Sequence, residues 1–235
     1  MPFVLVHGGG FDSSCWDLLA PLLHVETYAV DLPGRGVSAS DLATVSLSGF
    51  ADAVAAEIRV RDLFDVTLVG HSLAGMTLPG VAARVSDRVR RVVFISCVVP
   101  PHGVSVADVL DTLSPTVAEI AARLGDDVIT ADGALHPDFA TAMFCNDMDE
   151  SQRDFTLAHL VHESLHVISE PADLDGLRHD IPRTYVRLLR DASLTLESQD
   201  RMIANLGEVQ IIDLDAGHMA MISRPTELAA ILEAL

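Results

Sequence analysis

Hydrophobic positions along this chain fall into two alternating rhythms. Short β-like runs at 3–6, 27–32, 66–70, 91–96, 184–189 and 208–214 predict six β-strands. Between them, residues 16–23, 47–63, 73–84, 197–206 and 226–235 carry helical patterns. The clearest is Leu47, Phe50, Ala51, Val54, Ala55 and Ile58, whose steps of three and four place one apolar stripe on a helix face. Strand alternating with helix implies right-handed crossovers and a mostly parallel sheet covered on both faces. The expected fold class is therefore α/β, with a doubly wound, six-stranded sheet.

The alternation stops between residues 97 and 182. This stretch opens on Pro100-Pro101-His102-Gly103, ends near Pro171 and Pro182, and carries helical patterns at 104–113, 115–124 and 150–168. The expected division is a core of 1–99 and 181–235 with a helical insertion at 100–180. Pro79 falls inside the pattern at 73–84, where loss of an i→i−4 hydrogen bond is expected to kink the helix.

The apolar run 66–69 leads directly into Gly70-His71-Ser72-Leu73-Ala74-Gly75. A strand, a sharp glycine-flanked turn and a helix make this a nucleophile elbow, which raises a serine hydroxyl above the carboxyl edge of a sheet. The fifth position of G-x-S-x-G is Ala74 here, with glycine one residue late at Gly75. A serine needs a histidine base, and that histidine needs a carboxylate. Asp191 follows the run 184–189 and His218 follows the run 208–214, in the order Ser, acid, His. Asp213 and Asp215 lie too near His218 in sequence to be the acid, and Asp200 falls inside a helical pattern. At the chain start, 3–6 is followed by His7-Gly8-Gly9-Gly10. Glycines there let a backbone N–H turn toward a developing oxyanion, with the N–H of Leu73 as the second donor. His7 is assigned to holding that turn, His71 to packing or pocket lining, and Asp31 and Arg35 to the structure of their loop. His159, His162 and His166 share a helical spacing; without an H-E-x-x-H pattern they read as a pocket-lining face and not as a metal site.

Composition narrows the chemistry. The chain has 235 residues and a net charge of −19, which repels nucleic acid and anionic membranes. All 15 basic residues are arginine. Without lysine there is no Schiff-base or pyridoxal chemistry and no phosphate-loop motif. No G-x-G-x-x-G follows a strand, so no cofactor is expected. No apolar run nears the ~18 residues of a membrane span. The first strand begins at residue 3, so a cleaved leader would take part of the fold with it. Cys15, Cys97 and Cys145 are odd in number and widely spaced, as reduced thiols of a cytoplasmic protein would be.

The segments HGGG…CW, DLPGRG, LVGHSLAG and AGHMAMISRP resemble the α/β-hydrolase superfamily, most of all its methylesterase and hydroxynitrile lyase branch. The resemblance runs from residue 3 to the last helix and is weakest in the middle. It implies Ser72 as nucleophile, His218 as base, Asp191 as acid and the amides of Gly9 and Leu73 as oxyanion hole. It also implies that the insertion is a lid over the elbow. The pocket is then expected to include Gly8, His71, Met143, Phe144, His159 and Met219, with Met221 nearby, and to be mainly apolar. In the lyases a threonine follows the first-strand histidine and a lysine follows the catalytic one. Gly8 and Met219 stand there instead, as in the esterase members. The implied activity is cleavage of a small apolar ester, with no metal, membrane or nucleic-acid partner. Lyase or carbon–carbon hydrolase chemistry on the same triad, or a receptor role, are the alternatives.

Overall fold

A computed structural model of the chain describes residues 1–36, 38, 41–109, 113–130 and 134–235. Its six strands are β1 (Phe3–Val6), β2 (Thr27–Val30), β3 (Val66–His71), β4 (Val89–Ile95), β5 (Arg183–Leu188) and β6 (Gln210–Leu214). They form one sheet in the order β2-β1-β3-β4-β5-β6, and every pairing is parallel. Leu5 lies opposite Ala29 on one side and Val69 on the other, which sets the register at the sheet centre. From β1 the chain steps outward to β2, then returns to β3 on the other side of β1. This reversal opens a crevice at the carboxyl ends of β1 and β3, where open α/β sheets place their ligands.

Alternate strand residues feed two cores. Val4, Val6, Leu68, Val92 and Phe94 pack on one face with α1 (Leu47–Val60) and α2 (Leu78–Arg84). Phe3, Leu5, Val69, Val93 and Ile95 pack on the other, where Trp16 and Phe11 are fully buried. The α1 stripe is buried as its spacing requires, and Ser46 caps the helix by accepting from Gly49 N–H at 3.0 Å. Two helical patterns resolve into tighter turns. Residues 16–23 give only 3₁₀ turns at Ser13–Trp16 and Ala20–Leu22, and the stretch after Ser72 is 3₁₀ to Met76 before α2 begins. Pro79 consequently stands in the first turn of α2, where the amide it lacks has no intrahelical acceptor, and no kink is required.

Between β4 and β5 lie α3 (Pro115–Leu124), α4 (Pro137–Phe144), α5 (Glu150–Ala158) and α6 (Leu165–Ser169). The 104–113 pattern yields a 3₁₀ turn at Ala107–Val109, and its residues 110–112 lie outside the described residues. The 150–168 pattern is not one helix. His159 ends α5, and its Nδ1 bonds the Phe155 carbonyl at 2.7 Å, the acceptor that its own backbone amide would use in a continuing helix. His159, His162 and His166 therefore do not share a helix face. The sheet is completed by α7 (Leu196–Ala204), α8 (Ala220–Ser223) and α9 (Pro225–Glu233). Among the described residues, no helix is long and apolar enough to cross a membrane.

Candidate active site

Ser72 directly follows β3 with φ at +53°, a left-handed conformation that side chains rarely adopt. The turn is possible because its neighbours are small. A Cβ on Gly8 would come within 2.9 Å of the Ser72 Cβ, and one on Gly70 within 2.7 Å of Leu78. The late glycine of the motif has its own reason. A Cβ on Gly75 would fall 2.3 Å from the Val98 carbonyl oxygen, so glycine is needed where the elbow helix crosses the chain leaving β4.

The loops after β5 and β6 bring the partners. His218 Nε2 lies 3.0 Å from Ser72 Oγ, and its Nδ1 lies 2.7 Å from Asp191 Oδ2. Asp191 and His218 are both buried. The carboxylate is held by further donors: Ser193 N–H at 2.8 Å and Leu194 N–H at 2.7 Å reach Oδ1, and Ser96 O–H reaches Oδ2 at 2.6 Å. The competing carboxylates are engaged elsewhere. Asp200 and Asp213 both pair with Arg187, and Asp215 pairs with Arg190. A carboxylate that fixes the imidazole with Nδ1 protonated leaves Nε2 free to take a proton from Ser72.

Two more histidines brace this arrangement from behind. His7 Nε2 accepts from Leu32 N–H at 3.2 Å, so Nδ1 carries the proton and donates to the Gly8 carbonyl at 2.9 Å. In a trans peptide the next N–H points the opposite way, and the Gly9 amide is thereby turned away from His7. His71 Nε2 bonds the His218 carbonyl at 2.9 Å, and the two rings lie 4.5 Å apart. Burial holds the pKa of His7 down at about 4. Burial, and then the nearby His218, push His71 well below the usual histidine range.

Both are neutral in the folded protein at pH 7, which has a consequence for stability. Because the folded values lie below the unfolded ones, the unfolded chain takes up protons first as pH falls. Stability present above pH 6.5 is lost on acidification, with His7 contributing about 2 kcal/mol of loss by pH 5. Urea unfolding at pH 7 and pH 5 should show this decline, and His7→Gln, although less stable at pH 7, should show a shallower one. An equal slope in the variant would contradict the assignment.

A cavity of about 540 Å³ opens over Ser72 and His218, within the range of small-molecule sites. Its walls are mainly apolar, including Leu73, Val98, Leu135, Phe139 and Val161. Of the expected pocket residues, Met143 and Phe144 line it, as do Gly9 and Leu73. Four others do not. Gly8 faces a separate small void with Arg35, His71 is buried behind His218, Met219 is wholly buried in the core, and His159 stacks on Phe155. Met221 is likewise core. A broader, open depression of about 720 Å³ lies on the outer side of the Asp191 loop, and neither Ser72 nor His218 lines it. Ser96, Ser193 and Glu163 contribute to the site without having been singled out from sequence. Ser96 did carry a signal, as a polar residue directly after a strand; Glu163 carried none.

The three cysteines are free and buried. Burial raises the thiols of Cys15 and Cys97, and that of Cys145 to about 11, so none is a ready nucleophile at neutral pH.

Residues 3–231 match the model of the alpha/beta hydrolase family. A carbendazim hydrolyzing esterase of Nocardioides is 30% identical over 99% of this chain and 98% of its own length. Methylesterase 17 of Arabidopsis thaliana is 24% identical, over 98% of this chain and 89% of the relative. Among solved structures, an extracellular alpha/beta-hydrolase from a Paenibacillus species superposes with a TM-score of 0.84 at 24% identity, covering 100% of this chain and 98% of that one. The parallel sheet, the elbow and the match along nearly the whole chain lead to one conclusion: the protein belongs to the alpha/beta hydrolase family, on the branch that holds the methylesterases.

Proposed function

We propose that this protein is a serine hydrolase that cleaves a small, mainly apolar carboxylic ester through an acyl-enzyme. The observation that carries this reading is the continuous chain Ser72–His218–Asp191 standing at an apolar cavity. Ser72 Oγ attacks the ester carbonyl while His218 Nε2 takes its proton, and the Gly9 and Leu73 amides receive the developing oxyanion. Collapse of the tetrahedral intermediate expels the alcohol, which leaves with the proton from His218. Water, deprotonated by the same imidazole, then releases the acid and regenerates Ser72. Asp191 holds the imidazolium in place by its hydrogen bond to Nδ1. The segment between β4 and β5 acts as the lid, supplying Phe139, Met143 and Phe144 to the cavity wall.

The esterases among the relatives support ester hydrolysis over the other reactions of the triad. Position 219 supports it too, because a wholly buried methionine offers no cation to a departing cyanide. Three buried, protonated thiols fit a reducing compartment such as the cytoplasm.

Among the described residues, only Glu163 and His218 are titratable in the cavity lining. A neutral p-nitrophenyl ester should therefore be cleaved on the order of tenfold or more faster than an anionic analogue of equal size, because an unpaired charge gains little from apolar walls. Turnover should be unchanged by extensive chelation. Faster cleavage of the charged ester, or loss of activity on chelation, would overturn this account of the pocket.

A further inference from the structure

Among the described residues, Glu163 is the one acidic side chain on the cavity wall, and its surroundings are unusual. Its partner is Arg35, whose side chain is 1% exposed. The two residues come from opposite parts of the molecule: Arg35 from the loop after β2, Glu163 from the non-helical link between α5 and α6. Their ion pair closes directly behind the glycine loop. Glu163 Oε1 also accepts from Ser164 N–H at 2.6 Å, and Oε2 accepts from Gly10 N–H at 3.1 Å. The same link returns a second bond to the same residue, Val161 N–H to the Gly10 carbonyl at 2.8 Å. Gly10 has φ at +74°, and a Cβ placed on Gly9 would come within 3.0 Å of Glu163 Oε2.

We propose that Glu163 is a positioning residue for the oxyanion hole, with Arg35 as the countercharge that makes its carboxylate tolerable there. This rests on the esterase reading and deepens it. The peptide before Gly9 is fixed at its carbonyl by His7, and the peptide after Gly9 is fixed at its N–H by Glu163. With both flanking peptide planes held, the Gly9 amide has one direction left to point. A bare carboxylate beside a developing oxyanion would raise the barrier, since like charges repel strongly at low dielectric. Arg35 offsets that charge from the side away from the cavity. Arg35 is sealed from solvent, and among the described residues Glu163 is its one carboxylate partner, with the Gly34 carbonyl at 3.4 Å and the Phe50 ring at 6.0 Å as its other contacts.

The test separates the hydrogen-bond acceptor from the charge. R35M/E163Q removes both charges and keeps a side-chain oxygen for Gly10 N–H, whereas R35M/E163L removes the acceptor as well. A neutral p-nitrophenyl ester reports kcat and KM, and phenylboronic acid, which adds to Ser72 as a tetrahedral adduct, reports the oxyanion hole without turnover. R35M/E163Q should retain kcat within roughly threefold of wild type, and R35M/E163L should lose roughly 10- to 100-fold in kcat with KM little changed, less than deletion of an oxyanion donor outright. Boronate affinity should fall in parallel. If R35M/E163L does not melt cooperatively, E163D replaces it, since it keeps the charge for Arg35 and withdraws the acceptor by one methylene. Equal kcat and boronate affinity in the acceptor-bearing and acceptor-lacking variants overturns the proposal. A wild type that cleaves no ester yet shows the boronate difference overturns the esterase reading alone, and a wild type that captures no boronate overturns both.

Discussion

Ser72→Ala is expected to abolish ester turnover, by up to roughly 10⁶-fold, while the fold survives. The size of the effect follows from the way the three side chains act as a unit: His218 without a hydroxyl at 3.0 Å has no proton to move. The fold should survive because φ at +53° costs alanine about as much as serine, and the hydroxyl hydrogen bond it loses is to His218 rather than to the core. A fluorophosphonate should label the wild type at Ser72 and leave the variant unlabelled, as read by peptide mass spectrometry. An adduct on any other serine would end the mechanism.

Asp191→Asn should lower kcat by roughly 10⁴-fold. The surroundings of this carboxylate explain why the loss is so large for a nearly isosteric change. Asp191 accepts four hydrogen bonds, two from backbone amides, one from Ser96 and one from His218. An asparagine has one acceptor oxygen. If that oxygen keeps the Ser193 and Leu194 amides, the amide nitrogen faces His218 and forces the imidazole to present an acceptor at Nδ1. The proton then sits on Nε2, where it blocks the base function. Ser96→Ala leaves the tautomer correct and should cost far less. Asp200→Asn and Asp215→Asn should have small effects, since each loses only a surface ion pair. A larger loss from either than from Asp191→Asn would relocate the acid.

Much of this arrangement was legible in the sequence, for a specific reason. Strand ends are written as breaks in apolar runs, and the chemistry of a parallel sheet sits at those breaks. His7, Ser72, Asp191 and His218 each directly follow or closely trail such a run, so their convergence followed from the alternation of strands and helices. The segment between β4 and β5 obeys no such rule. Its helices are short, and their apolar residues serve the cavity wall as well as helix–helix packing, so periodicity does not say which face is which. Met219 and Met221 illustrate the error: proximity to His218 in sequence suggested the pocket, but the turn into α8 drives both side chains into the core. His159 was misplaced because three histidines at helical spacing imply a helix that His159 itself terminates. The Arg35–Glu163 pair joins residues 128 positions apart, and nothing local to either announces the other.

The sheet order also bears on when the chain becomes reactive. Ser72 is set by the central strand β3, but the imidazole of His218 that contacts it arrives only with the loop beyond β6, the edge strand and the last of the six strands in the chain. A nascent or truncated chain carrying β1 to β4 can present the serine on its elbow, yet a serine hydroxyl without an imidazole is a poor nucleophile. On the proposed mechanism the nascent chain is therefore expected to stay dormant, with reactivity arising only once β6 has joined the sheet.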